Sequence, residues 1–588
     1  MNTPTWDAVI VGAGIAGALT AYKLALAGKR VLVLDAGPAV PPNRGDYMQR
    51  FYTAMSKVPE SPYPDIPDAP RPRSDDSGTL TTNPARPTPN SYLVQTGPLP
   101  FASTYERVGG GTTWHWLGTA LRLLPNDFQT QTTYGVGVDW PITYDQLETW
   151  YCQAEAEIGV AGDMNQQSYL NLTFSQQYPM PGIAQSYADT QMAAAIGSGM
   201  TFDGLPVTVT PTPQARNSRP YDGRRQCAGN TNCIPICPIQ AKYDASVHLN
   251  KARQLGVTVW SQTVVDRLVV DPGSGRITGV SYKQYQVPDG PATATGTVSG
   301  TLVVMAAHAI ETPKILLNSA TSALPGGVAN RSGMVGRNLM DHPVQLSWAR
   351  MTSPVYPFRG PLSTSGIESL RDGPFRTQRA PFRMEMGNEG WNWAAGDPYT
   401  TVNAAITGNG SPGVIGGSLV SAVNQGVIGQ VRFGSLVEQQ PLSTNRVTLS
   451  PVMDSLGIPR PQISYDLDAY TMAGFAAARQ AAHAVFQRIG AQDFTEPTPP
   501  TSTGPWPFNF TYQEQEYTLN GAGHVMGTYR MGNDPAQSVV GPTLKSHDHP
   551  NLYLLGSGVF PTVGTSNPTL TIAALALMAA PAMLQDLA

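Results

Sequence analysis

The hydrophobic pattern changes character along the chain. Residues 7–11 (DAVIV) are a short apolar, β-branched run that predicts a buried strand. GAGIAG follows at 12–17, then a run of strong helix formers at 18–27 closed by Gly28, then a second apolar strand at 31–34 ending in Asp35. Strand, tight turn, helix and strand in this order predict a dinucleotide-binding unit. Residues 38–102 are polar and rich in Pro, Asp, Asn and Ser, above all at 61–90, and predict an irregular excursion. Helical spacing returns at 144–159, where Leu147, Tyr151, Ala154 and Ile158 share one face. A helix at 245–255, strands at 257–270 and 277–285 around a turn at 271–275, a strand at 300–306 and a helix near 311–319 predict a return to the first unit. Between 344 and 508 the strand-like runs 419–423, 430–438, 446–450 and 461–465 predict an antiparallel sheet with one face packed and the other open, beside a long helix at 470–489. A strand at 552–555 and a helix at 569–580, with Pro568 at or near its first position, close the chain.

At 588 residues the chain is too long for one simple core. The fold class expected is α/β, or α+β in two domains: a Rossmann-like domain and a second domain built on an antiparallel sheet covered by helices. The first domain takes residues 1–160, 214–343 (opening with a cysteine-bearing loop) and 520–588; residues 161–213 are an excursion, and 344–519 face the substrate. With 59 glycines, 53 prolines and 41% apolar residues the chain is loop-rich but folded. A net charge of −4 gives no electrostatic footprint for nucleic acid. Four cysteines are too few for a disulfide scaffold. No basic segment precedes a signal core, and the apolar run at 570–584 is shorter than a membrane span and broken by Pro581. The expectation is a soluble chain that meets a membrane only through partners.

Each part of the opening unit has a chemical task. Gly12 makes the turn, Gly14 lets the backbone approach a pyrophosphate, and Gly17 lets helix and strand pack closely. The helix N-terminus offers N–H groups to phosphates, and Asp35 can accept from a ribose hydroxyl. In VGGGTTWHW at 108–116, glycines allow close approach while Trp114 and Trp116 bracket His115. This segment reads either as a loop under a cofactor ring or as a buried aromatic corner. Cys227, Cys233 and Cys237 form C-x5-C-x3-C. Three thiolates suffice for an iron–sulfur cluster lacking one iron corner; zinc with Cys3His and a merely structural loop are the alternatives. His524, in GAGHVMGTYRMG, can take a hydroxyl proton near neutral pH. Asn567 precedes Pro568 and suits a helix N-cap; if Ser566 does the capping, Asn567 is free to meet substrate. The helix N-terminus behind it would stabilise a reduced flavin. No G-x-S-x-G or H-E-x-x-H occurs, so a hydrolase has no support.

Together these segments resemble the glucose–methanol–choline (GMC) oxidoreductases, most of all the flavoprotein subunits of bacterial membrane-linked glucose, gluconate, sorbitol and fructose dehydrogenases. The matching stretches are GGTTWHW at 110–116, LPNDF at 124–128, YGVGVDWPITYDQLE at 134–148 and ARNSRPYDGR at 215–224. They continue with the cysteine motif through CPI at 237–239, ETPKILL at 311–317, VGRNLMDHP at 335–343 and HPNLYL at 549–554. The resemblance implies FAD, held by Gly12, Gly14, Gly17, Asp35, Gly110, Gly111, Thr113, His115, Trp116, Val265, Asn567 and Thr569. It implies a [3Fe–4S] cluster on Cys227, Cys233 and Cys237, with His524 as base and Asn567 as its partner. The implied reaction moves hydride from a hydroxyl-bearing carbon of a sugar, polyol or sugar acid to flavin N5. Electrons would then leave for a cytochrome c subunit or a quinone; a stand-alone oxidase using O2 is the alternative. A small companion subunit carrying the export signal would place the protein on the periplasmic side of the inner membrane, with the cytoplasm as alternative. Three departures stand out. Gly523 replaces the Asn of family glucose dehydrogenases, His308 stands where relatives carry Asn, and the excursion at 61–90 is long.

Overall fold

The computed structural model describes residues 6–39, 49, 92–101, 103, 105–114, 116–229, 233, 236–287, 290–357, 359–388, 403, 405–408, 412–495, 497 and 508–588. The excursion at 61–90 and His115 lie outside the described residues. A five-stranded parallel sheet runs in the order Leu552–Leu554, Gly300–Met305, Trp6–Val11, Val31–Leu34, Thr258–Trp260. Every residue of Val31–Leu34 is buried. Such continuous apolar strands are what a parallel sheet covered on both faces requires. The helix Ile15–Leu26 packs against Ser246–Gln254 and against the C-terminal helix Thr569–Asp586, which also packs on Tyr144–Ile158. Leu147, Tyr151, Ala154 and Ile158 form the buried face of that last helix, as their spacing predicts.

The turn Gly12–Gly17 is held by close packing. Gly12 has φ +103°, and a Cβ there would lie 2.4 Å from the Ala306 carbonyl oxygen. A Cβ on Gly17 would lie 2.0 Å from the Gly12 carbonyl oxygen. Gly17→Ala must therefore push the helix off the first strand, at a cost of about 1–3 kcal/mol. We expect this variant to purify with less flavin and a lower melting temperature; wild-type flavin content would show that the turn tolerates the shift.

The second sheet has eight strands. Its main path is Phe508–Tyr512, Gln515–Gly521, Pro343–Arg350, Gln430–Val437, Phe382–Gly387, Ser365–Ile367, Val209–Pro211, and Gln492–Asp493 pairs with Pro343–Arg350. All its neighbours pair antiparallel. Helix Ala469–Arg488, capped by Asp468 through the Thr471 N–H at 2.9 Å, packs on this sheet. Strand Gln430–Val437 is buried along its whole length. Phe433 stacks on Phe486 of the helix at 5.5 Å, whereas Arg432, Gly434 and Leu436 line an internal cavity. The second face, expected open, is thus closed over a cavity.

Three further expectations need correction. Residues 419–423 belong to a helix, Gly416–Ile428. Leu419, Val420, Val423, Val427 and Ile428 recur at helical intervals, and their β-branched composition was the misleading signal. The run 257–270 is two strands in different sheets, Thr258–Trp260 in the parallel one and Thr263–Val270 in a three-stranded antiparallel one. Between them Gln262 takes φ +50°, which turns the chain. The last helix continues through Pro581 to Asp586, with Pro568 at the N-cap position. It is long and apolar enough to cross a membrane by length and composition, but just over half of it is buried within this fold, as in a core helix.

Candidate active site

A cavity of ≈ 480 Å³ lies between the parallel sheet and the antiparallel one. This is within the roughly 300–1,000 Å³ of small-molecule sites. Gly12, Gly14, Asp35, Gly110, Gly111, Thr113, Trp116, Val265, His524, Asn567 and Thr569 all line it. Gly17 stands behind the wall, where it sets the packing of the turn. Gly14 opens the helix Ile15–Leu26, and a Cβ on it would meet nothing within 4 Å. The space above Gly14 and the free N–H groups of that helix form a cradle for a pyrophosphate. These residues fit FAD. Asp35 is more occupied than its sequence position implies. Its Oδ2 accepts the Ala13 N–H at 2.8 Å and its Oδ1 the Gly37 N–H at 2.9 Å, while burial pushes its carboxyl up. It ties the turn to the second strand and lines the cavity.

The tryptophan loop is anchored at both ends. Thr113 Oγ1 donates to the Gly110 carbonyl at 2.6 Å and accepts the Ala245 N–H at 2.9 Å. The Trp116 indole donates to the Tyr243 carbonyl at 2.8 Å. On the far wall His308 lies stacked on Tyr105, ring centroids 4.1 Å apart, with φ +74°. That left-handed conformation is one that asparagine, aspartate and histidine adopt more readily than most residues.

His524 and Asn567 come from distant parts of the chain and meet in this cavity. Asn567 Nδ2 lies 3.4 Å from His524 Nε2, and His524 Nδ1 lies 3.1 Å from His342 Nδ1. His342 Nε2 donates to the Gly564 carbonyl at 3.0 Å. The loop carrying His524 hangs on Asp341. Its Oδ1 accepts the His524 N–H at 2.9 Å, its Oδ2 accepts the Ala522 N–H at 3.2 Å, and the Ser103 hydroxyl donates to Oδ2. Burial raises Asp341 to about 6, while burial and the nearby Arg371 and Arg383 lower His342 to about 4. Burial, His342 and Arg383 hold His524 well below the usual histidine range, so it is neutral. Asn567 does not cap the last helix, and neither does Ser566, whose hydroxyl donates to the Leu121 carbonyl. The Asn567 side chain is therefore committed to the site.

Arg383 supports Asn567 from beneath. Its Nη1 donates to Asn567 Oδ1 at 3.4 Å and to Glu385 Oε2 at 2.6 Å, its Nε to Glu368 Oε1 at 2.8 Å, and its Nη2 to Thr212 Oγ1 at 3.1 Å. Arg383 is fully buried, and Glu385 lines the cavity opposite Gly434 in the strand register. His342, Asp341, Arg383 and Glu385 were not singled out from sequence. The signals were there: Asp341 and His342 sit in VGRNLMDHP, and Arg383 and Glu385 alternate with Phe382, Met384 and Met386, marking a polar strand face turned inward.

None of the three loop cysteines is in a disulfide; Cys233 and Cys237 are buried and Cys227 is partly exposed. Burial pushes the Cys227 thiol up, and Arg216 opposes this. The buried Lys242, lowered to about 8 by desolvation, faces Cys233 and Cys237 electrostatically. Its Nζ donates to the carbonyls of Trp114 and Trp116 at 2.6 and 2.5 Å, so one cation links the cysteine loop to the tryptophan loop. Among the described residues no group of three or more Cys, His, Asp or Glu side chains is arranged to hold a metal ion. Residues 230–232, 234 and 235 of the loop lie outside them.

Comparison with known proteins places this site in a family. Family models described as GMC oxidoreductase match residues 204–344 and 441–576, and one described as FAD dependent oxidoreductase matches 7–43. The chain is 36% identical over 598 residues to the fructose dehydrogenase large subunit of Gluconobacter japonicus, spanning 100% of this chain and 99% of the relative. It is 26% identical to 2-methyl-1,2-propanediol dehydrogenase of Mycolicibacterium austroafricanum, over 97% of this chain and 94% of that one. The fold is similar to that of pyridoxine 4-oxidase from Mesorbium loti, with a TM-score of 0.61 at 17% identity, covering 98% of this chain and 99% of that chain. With the glycine cradle, the paired His524 and Asn567 and this full-length similarity, the chain belongs to the GMC oxidoreductases and is an FAD-dependent enzyme.

Proposed function

We propose that the protein is a dehydrogenase oxidising a hydroxyl of a sugar, polyol or sugar acid, with a [3Fe–4S] cluster on Cys227, Cys233 and Cys237 and electrons leaving for a cytochrome c subunit or a quinone. The observation that carries this reading is the meeting of His524 and Asn567, 3.4 Å apart, in the cavity that Gly14 opens into. FAD bound there supplies the two-electron acceptor for the hydride. The chain supplies the rest. His524, neutral, takes the hydroxyl proton at Nε2, displacing the 3.4 Å contact from Asn567, whose Nδ2–H groups then hold the oxygen left behind. Glu385, Arg432 and Asn520 bring polar groups to the same cavity, suited to a polyhydroxylated substrate, while Val344, Leu346 and Leu436 keep part of the wall dry. Gly14 and the helix behind it would hold the pyrophosphate, and Asp35 would meet the ribose.

Two features support the finer reading. The relative in Gluconobacter japonicus is named a large subunit of a fructose dehydrogenase, which favours a sugar and a companion subunit. Three cysteines of one loop outside any disulfide, with Arg216 and Lys242 as neighbouring cations, are a donor set for a cluster, which would supply one-electron exchange with an outside acceptor. A co-exported partner would place this assembly on the periplasmic side of the inner membrane. The test uses holoenzyme purified anaerobically. A panel of ketoses, aldoses, polyols and sugar acids should include a compound that bleaches the flavin, with about three irons per flavin and matching acid-labile sulfide. No bleaching by any member sinks the substrate class. Flavin without iron, together with peroxide release in air, would replace the dehydrogenase by an oxidase.

A further inference from the structure

We infer that His342 is a positioning residue that sets the tautomer of His524, keeping Nδ1 protonated and Nε2 free to accept a proton. The inference rests on the reading of His524 as the base and adds a residue to it. The hydrogen bonds on the two sides of His524 lead independently to the same assignment. On one side, the Gly564 carbonyl can only accept, so His342 must donate to it from Nε2. A neutral imidazole that donates from Nε2 has a lone pair on Nδ1. His342 Nδ1 therefore accepts across the 3.1 Å contact, and His524 donates from its own Nδ1. On the other side, Arg383 has no acceptor atom, so Asn567 must turn its Oδ1 toward Arg383. Asn567 Nδ2 then points at His524 and donates to Nε2, which must be unprotonated. A backbone carbonyl at one end and a buried guanidinium at the other thus specify the same proton position.

The charged and titratable groups facing this pair agree with it. Arg371 and Arg383 disfavour a second proton on His342, and Asp341 accepts the backbone N–H groups of both His342 and His524 rather than either ring. The chain of bonds ends at Gly564, which cannot pass a proton on. His342 therefore steadies the imidazolium formed when His524 takes the hydroxyl proton, and does not drain it. His524 keeps that proton until it leaves through the cavity.

Two substitutions separate this role from simple anchoring. His342→Asn places a side-chain oxygen near the Nδ1 position and keeps the acceptor while giving up Gly564. His342→Gln reaches the Gly564 carbonyl and gives up the acceptor. In flavin-loaded protein with the preferred sugar, His342→Gln should lower kcat about 10- to 100-fold. Its KM should change little, and His342→Asn should recover at least a fivefold share of that loss. Glutamine matching wild type, or outperforming asparagine, overturns the inference in favour of an anchor. Nitrogen-15 histidine spectra of the wild-type holoenzyme, assigned with His524→Ala, provide a second measurement that needs no His342 variant to fold. A protonated Nδ1 and bare Nε2 on His524 are expected, and the reverse overturns the inference. Should His524→Ala itself retain turnover, the base assignment falls, and the inference falls with it.

Discussion

Replacing His524 with alanine is expected to leave a folded yellow protein whose kcat falls about 10²- to 10⁴-fold, the usual contribution of a positioned general base. The fold should survive because the loop hangs on Asp341 through the backbone N–H groups of Ala522 and His524, which alanine keeps. The flavin should survive because the cradle at Gly12–Gly17 is built on other elements. What is lost is the neutral imidazole that faces Asn567. Its protonation sets a second expectation for the wild type. The pKa of His524 is lowered, so the base form persists below the ordinary histidine value. The acid limb of kcat/KM should therefore lie below about pH 6.5, where an unperturbed histidine would titrate. Turnover of His524→Ala near that of wild type, with substrate saturating, would remove the residue from the chemistry.

Arg383→Met is expected to cost about 3–5 kcal/mol of stability, the penalty for breaking a buried ion pair by removing one partner. The guanidinium bridges Glu368 and Glu385 in the interior and has no exposed surface. Methionine fills much of the volume but leaves two carboxylates facing each other. Arg371, 3.5 Å from Glu368, is a further cation beside that carboxylate. The same change frees the Asn567 amide to flip and present its oxygen to His524, so kcat should fall even in the folded fraction. Arg383→Lys should recover only part of both effects, because one ammonium cannot reach both carboxylates and the amide in a plane. The measurement is the denaturation midpoint of the flavin-loaded protein together with its kcat. An unchanged midpoint would mean that the carboxylates take up protons or water at little cost.

Much of this protein was legible in the order of its residues. The opening strand, turn and helix were readable because a parallel strand buried on both faces must be continuously apolar, and because its turn admits only glycine where carbonyl oxygens stand 2.0–2.4 Å from a would-be Cβ. His524, Asn567 and the glycines at 110 and 111 were readable as chemistry by residue type and local spacing. The run 419–423 failed because short β-branched segments satisfy both periods, and only hydrogen bonding along Gly416–Ile428 decides between them.

What the sequence by itself determined is thus the local set: the βαβ unit, its cradle, and the residues whose chemistry suits proton transfer. The tertiary structure alone decided their partners. His342 and His524 are 182 residues apart, Arg383 and Asn567 are 184 apart, and Gly564 lies 222 from His342. No periodicity reports on such distances, because they are set by the closure of the antiparallel sheet over the parallel domain. That closure also buries Asp341, His342 and Arg383 beside the cavity. Burial is what turns Asp341, Arg383 and His342 from ordinary polar residues into groups that must satisfy one another. Proton position on His524 follows from that mutual satisfaction.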